Sequence, residues 1–307
     1  MKYEPVIGLE VHIQLNTQSK IFASDSAAFG GSPNTHISPI TLAHPGTLPL
    51  TNEQTIEHAV KLGLACGCDI ARYMYFDRKH YFYPDLPKGY QITQQNTPVC
   101  ANGSVKIKLK DGSSKAIQLT RIHLEEDAGK SIHDMDENFS MIDLNRAGVP
   151  LMEMVTEPVI QSAEEAAAFL TEVRKIVRYL NICDGNMEEG SMRCDANVSI
   201  RLKGSDALGI RAEIKNMNSI RYVQKAIEGE IQRQVDLVER GEKMIQETRS
   251  YDAVTNTSFP LRGKEHAHDY RYFPDPDIAP ITNLPVGLIH HLQVFEIGSV
   301  SPSALRI

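Results

Sequence analysis

Residues 6–15 read VIGLEVHIQL, and their alternation constrains the chain more than any other feature. Ile7, Leu9, Val11, Ile13 and Leu15 fall at every second position, the period of an extended strand with one buried face. The opposite face carries Glu10, His12 and Gln14. A strand so apolar on one side needs partners to complete a sheet and a second layer to cover it.

Those partners are legible further along. Residues 105–109 read as a strand running into Asp111-Gly112, a hairpin signal, and the chain returns through 117–125. The alternation slips near Thr120, so periodicity assigns no faces there. Cys194, Ala196, Val198 and Ile200 alternate with Arg193, Asp195, Asn197, Ser199 and Arg201. Ile210, Ala212 and Ile214 alternate with Arg211, Glu213 and Lys215.

Two helices supply the covering layer. Residues 163–180 carry an apolar stripe of Ala166, Leu170, Val173, Val177 and Leu180, and Ser162 with Glu165 forms a capping box. Residues 220–240 carry Ile220, Val223, Ile227, Ile231, Val235 and Val238 on one side, with Gly241 where a C-terminal cap belongs. There is no internal repeat. The order of elements and the hairpin signal predict an α+β fold, with an antiparallel or mixed sheet flanked by helices.

The acids fall on the polar faces of these strands. Glu10, Asp195 and Glu213 each stand opposite an apolar face, His12 shares the face of Glu10, and Glu125, Glu126 and Asp127 end another strand. Carboxylates held close together raise one another's pKa unless a cation compensates, and hard divalent cations prefer oxygen ligands. The row is therefore either a platform for a metal–nucleotide or a set of solvated outer-face charges. Arg193 and Lys215 either hold phosphate oxygens or pair with acids across strands.

Several motifs are set aside. Ala128-Gly129-Lys130-Ser131 ends like a phosphate-binding loop, but Leu124 stands where the first glycine belongs and three acids precede it. Cys66-Gly67-Cys68 has no second pair at zinc-site spacing, so buried thiols are the simpler reading. His266 and His268 are thin grounds for a ligand pair. No Gly-x-Ser-x-Gly or Gly-x-Gly-x-x-Gly supports a covalent hydrolase or a dinucleotide fold. The basic and aromatic residues of 78–90 suit either base stacking with phosphate contact or packing as a loop on the domain.

Of the 307 residues, 41% are hydrophobic and 23% charged, as in a globular protein with a sizeable core. The net charge of −7 argues against general electrostatic binding of nucleic acid. Five cysteines, an odd number, predict reduced thiols. With no apolar run of membrane-spanning length and no signal-peptide stretch, the expected location is the cytoplasm, with no membrane partner.

Six segments together carry a family resemblance: GLEVH (8–12), FDRKHYFYPDLPK (76–88), RIHLEEDAGK (121–130), NRAGVP (145–150), DGNMEEGSMRCDAN (184–197) and EIKN (213–216). The sequence resembles the B subunit of the aspartyl/glutamyl-tRNA amidotransferases over residues 1–280. The resemblance implies a catalytic domain similar to glutamine synthetase and the guanido kinases. It implies a ligase that uses ATP and Mg²⁺ to phosphorylate the side-chain carboxylate of Glu-tRNA(Gln) or Asp-tRNA(Asn), after which ammonia displaces phosphate. The ammonia comes from glutamine hydrolysed by an A subunit, and a small C subunit completes a heterotrimer.

On this sequence the resemblance places the metal and catalytic site at Glu10, His12, Glu125, Asp195 and Glu213. Arg193, Lys215, Lys79 and Lys88 follow as contacts to nucleotide phosphate or tRNA. The family continues into helical and tail domains that this sequence lacks, and residues 281–307 depart from its pattern. The expectation is a truncated chain with a divergent tail. Competing readings are a scaffold that only binds the A and C subunits, a ligase acting on a free small acid, and an RNA-binding module.

Overall fold

A computed structural model describes residues 2–133, 135–263 and 269–282. In chain order the elements begin with β1 (Tyr3–Gln14), α1 (Glu53–Ala65), β2 (Asp69–Ile70), β3 (Tyr73–Met74), β4 (Asp77–His80) and β5 (Tyr90–Thr93). Next come β6 (Cys100–Ala101), β7 (Ser104–Lys108), β8 (Ser114–Glu126), β9 (Lys130–Ile132), β10 (Met141–Asp143), β11 (Pro150–Thr156) and α2 (Ala163–Tyr179). The last are β12 (Met192–Leu202), β13 (Ala212–Lys215), α3 (Ile220–Glu239), β14 (Glu247–Asp252), β15 (Thr257–Gly263), β16 (Phe273–Pro274) and β17 (Ile281–Thr282).

One ten-stranded mixed sheet dominates, in the order β15-β14-β13-β12-β1-β11-β8-β6-β2, with β7 paired to β8. All its pairings are antiparallel except β13 with β14. The α+β reading with a mixed sheet flanked by helices holds. β1 lies at the centre between β11 and β12, which suits the strand with the most regular alternation. Ile7, Leu9, Val11, Ile13 and Leu15 are all buried in one hydrophobic cluster with the apolar faces of the helices.

α2 begins where its capping box placed it. Ser162 accepts from Glu165 N–H, and the Glu165 carboxylate accepts in turn from Gln161 N–H at 2.8 Å. α3 ends one residue before the predicted limit, and Gly241 follows at φ 73, where its N–H reaches Val238 O. α1 is an addition to the two predicted helices. Asn52 caps it by accepting from Gln54 N–H, and Ile56, Ala59, Val60 and Leu62 turn its apolar face inward. β13 starts at Ala212, leaving Ile210 exposed.

The slip near Thr120 is a β-bulge. Val155 pairs with Arg121 and Thr156 with Leu119, so Thr120 is the extra residue on β8. Before it Ile117 and Leu119 face the core; after it Ile122 and Leu124 do. His123 and Glu125 therefore come out on the same face of the sheet as Glu10 and His12.

All five cysteines are free and buried. Among the described residues no helix is long and apolar enough to cross a membrane. Ile281 and Thr282, at the predicted start of the tail, pair with Met74 and Tyr73. The remaining tail residues, 283–307, and the His266–His268 pair lie outside the described residues.

Candidate active site

The register of five neighbouring strands assembles the site. Arg193 pairs with His12, His12 with Glu153, and Glu153 with His123, which forms one lateral row across β12, β1, β11 and β8. One step along, Asp195 pairs with Glu10. Glu213 enters from β13 opposite Asn197. Paired residues share a face, so every one of these polar groups projects to the side away from the helices.

Donor atoms of the five predicted residues gather into two groups. Glu10, Asp195 and Glu213 offer carboxylate oxygens within 4.8 Å of one another, and His12 and Glu125 do the same with Glu153. Glu153 and His123 escaped the sequence reading. Their signals were a lone acid within the apolar run 149–155 and a histidine two residues before Glu125.

In the first group the Lys215 ammonium bonds Asp195 and lies 2.9 Å from Glu213 Oε1. Asn197 Nδ2 donates to Glu10 Oε1 at 2.9 Å, and Thr248 Oγ1 donates to Glu213 Oε2 at 2.9 Å. Burial raises the Glu10 pKa, and the charges of Glu153, Asp195 and Glu213 raise it further against the opposing pull of Lys215. Burial works against the Lys215 cation, yet Asp195 and Glu213 hold its pKa above the ordinary lysine range.

In the second group imidazoles face carboxylates. His12 Nε2 stands 3.5 Å from Glu153 Oε2 and 3.9 Å from Glu125 Oε1, while His123 Nε2 stands 3.4 and 3.7 Å from the same two carboxylates. Burial disfavours the His12 cation, but the hydrogen bonding and charge of Glu153, with Glu125 and Asp195, lift its pKa to about 9. Glu153 is held well below the carboxylate range: burial opposes this, and His12 and His123 outweigh it. His123 Nδ1 is buried with no hydrogen-bond partner among the described residues.

The three carboxylates of the first group fit a hard divalent cation, since Mg²⁺ and Mn²⁺ prefer oxygen ligands, and the second group adds one imidazole nitrogen to two carboxylates. Adjacent donors at about 2.1 Å from one ion lie roughly 3 Å apart, so the 3.5 and 3.9 Å from His12 Nε2 to Glu153 and Glu125 would have to shorten around an ion.

Both groups border a cleft of about 410 Å³, whose lining includes Tyr81, Glu125, Arg193, Asp195 and Lys215. That is the size range of a small-ligand site. Arg193 Nη2 bonds Asp127 Oδ2 at 2.8 Å, so two of the four cations predicted to contact phosphate or tRNA, Arg193 and Lys215, line the cleft paired with acids.

The 78–88 segment is built into the domain. β4 pairs with β5 and β16, and Arg78 bonds Asp275 and Asp277 while stacking on Tyr90. Lys79 lies over the Tyr270 ring, and Lys88 bonds the buried Glu126 at 2.6 Å. Lys79 and Lys88 are not among the residues lining the cleft. Gly129 donates its N–H to Asp85 O and a strand, not a helix, begins at Lys130, as expected of a segment that is not a phosphate loop.

Residues 5–284 match the GatB/GatE catalytic domain. The chain is 58% identical over 279 residues to the B subunit of the aspartyl/glutamyl-tRNA(Asn/Gln) amidotransferase of Nitratidesulfovibrio vulgaris, covering 91% of this chain and 58% of that one. The B subunit of the same amidotransferase from Thermodesulfovibrio yellowstonii is 57% identical over 281 residues, covering 92% of this chain and 59% of its own. That of Salinibacter ruber is 56% identical over 288 residues, covering 91% and 57%. The chain thus spans under three fifths of the length of these curated relatives. On that match, and with five of the six sequence segments contributing residues to one cleft, the chain belongs to the GatB/GatE catalytic domain family.

Proposed function

We propose that this chain carries the site at which a tRNA-borne carboxylate is activated for amidation. The observation that carries the reading is the pair of carboxylate-rich groups on one sheet face, bordering a cleft with Arg193 and Lys215 in its wall. Phosphoryl transfer between anions needs positioning and charge neutralisation rather than a covalent nucleophile. The names of the relatives specify aspartyl- and glutamyl-tRNA amidotransferase subunits, which supports the same substrate class here.

In this reading Glu10, Asp195 and Glu213 hold one Mg²⁺, and His12, Glu125 and Glu153 hold a second. Cations held there would neutralise phosphate charge beside the acids. Lys215 and Arg193 exchange their carboxylate partners for phosphate oxygens of ATP. The γ-phosphoryl group passes to a side-chain carboxylate oxygen of Glu-tRNA(Gln) or Asp-tRNA(Asn), releasing ADP. Ammonia then attacks the carbonyl carbon and phosphate leaves. The ammonia is delivered by a glutamine-hydrolysing A subunit held in a heterotrimer with a C subunit, and the work belongs to the cytoplasm.

Calorimetric titration of Mg·ATP into the chain tests this. Binding that disappears with EDTA and with Asp195→Ala is expected. Equal binding by the folded Asp195→Ala variant places the nucleotide elsewhere and ends the proposal.

A further inference from the structure

β14 contributes no residue to the lining of the cleft, yet its open face supports the site at two points. Thr248 stands directly opposite Glu213 in the parallel pairing and donates its hydroxyl to Glu213 Oε2. Two residues on, Ser250 Oγ accepts from Asn216 Nδ2 at 2.9 Å. Asn216 lines the cleft and sits at φ 65, a left-handed backbone that needs local support.

The other face of β14 is clamped. Glu247 and Arg249 meet Glu230 and Arg233 of α3 in a buried network of two acids and two guanidinium groups. Arg249 Nη1 bonds Glu247 at 2.7 Å, Arg233 Nη2 bonds Glu230 at 2.7 Å and Glu247 at 3.0 Å, and Arg249 also bonds Ser258. Gln234 ties Glu230 to Val198 O. Removing Glu230 or Arg249 leaves a buried charge short of a partner, so the network ties α3 to β14. The strand is thereby fixed from behind, and the Thr248 hydroxyl becomes a donor in a set place.

We propose that Thr248 is a positioning residue for Glu213: it takes one carboxylate oxygen while Lys215 takes the other, and so sets the orientation in which Glu213 meets a divalent cation. This rests on the reading of Glu213 as a cation ligand. Carboxylates that bind metals are commonly oriented by such outer hydrogen bonds, whose loss costs about 10–100-fold in metal affinity. Thr248 is 1% exposed, so no water can easily replace its hydroxyl.

The test is Mn²⁺ binding to the full chain, read by electron paramagnetic resonance, beside the melting temperature without metal. Thr248→Val keeps the shape and removes the hydroxyl, and about a 10–100-fold weaker Mn²⁺ affinity is expected. Thr248→Ser restores the donor and should recover most of that loss. Should the valine variant not fold, Thr248→Ala takes its place in the same titration. A hydroxyl with a merely structural role lowers the melting temperature and leaves Mn²⁺ affinity unchanged in folded protein, which overturns the inference. Glu213→Gln separates the two readings. If it binds Mn²⁺ as wild type does, the cation reading of Glu213 falls and the role of Thr248 falls with it. If it weakens binding while Thr248→Val does not, only the role of Thr248 falls.

Discussion

Arg193 Nη2 and Asp127 Oδ2 meet at 2.8 Å and join the start of β12 to the residue just past β8, across the intervening strands β1 and β11. Gln14 Nε2 reaches the same Asp127 oxygen at 2.8 Å, so strands carrying both donor groups are pinned at one point. Arg193→Ala leaves Asp127 with Gln14 and the more distant Arg146 at 3.7 Å. Because the guanidinium is about one-third exposed, screening reduces the cost to about 1–2 kcal/mol. Urea unfolding checks the stability, and Mg·ATP titration should show the affinity lost as well.

Lys215 neutralises part of the carboxylate charge around it. Lys215→Met should lower the stability of the metal-free protein by about 1–3 kcal/mol, less than for a fully buried pair because the side chain is one-third exposed. The same change should enlarge the rise in melting temperature on adding Mg²⁺. Scans with EDTA and with Mg²⁺ decide it, and an unchanged rise argues that the carboxylates do not bind the ion.

Alkaline pH should unfold the protein through its thiols. Burial pushes Cys66 up to about 12 and Cys68 and Cys183 to about 11, and it holds Cys100 and Cys194 well above 9.0. In the unfolded chain each ionises near 9.0, so the native state favours the proton. That stabilisation is complete below the unfolded pKa and is lost as pH rises from about 9 toward 11–12. The urea midpoint should fall across this window, and a thiol reagent near neutral pH should label native protein far more slowly than denatured protein.

Glu230 is the acid deepest in the α3–β14 network. Glu230→Ala leaves Arg233 and Arg249 short of a partner and should cost about 3–5 kcal/mol. Circular dichroism through a urea series measures it. A loss under about 1 kcal/mol puts the network in the class of weak exposed pairs.

Gly103 sits at φ +85, and a Cβ there would lie 2.8 Å from Cys66 O. Gly103→Ala should therefore destabilise by at least the roughly 1–3 kcal/mol of a left-handed backbone alone. Thermal unfolding checks this, with Gly112→Ala as the control, since φ +87 there comes with open space around the Cβ.

Where local pattern and tertiary demand agree, the sequence was readable. β1, α2, α3 and the faces of Glu10, Asp195 and Glu213 followed from period and capping alone. Glu153 was not legible because β11 is buried on both sides of it, so its apolar run hides the alternation that marks a half-covered strand. His123 was lost to the bulge at Thr120, beyond which parity assigns no face. α1 was readable in principle from Asn52 and the spacing of Ile56, Ala59, Val60 and Gly63. Which cations pair with which acids depends on strand order, and no local pattern carries that information.

The bulge at Thr120 gives the acids a second part in the life of the chain. If β8 paired regularly past that point, His123 and Glu125 would follow Ile117 and Leu119 into hydrocarbon, where an ionised carboxylate is severely penalised. The same side chains that serve the cleft thus act as register marks during folding. They reject the slipped pairing before any substrate is present, so a mutation that makes Glu125 apolar removes a guard on the alignment of β8 with β11 along with a site residue.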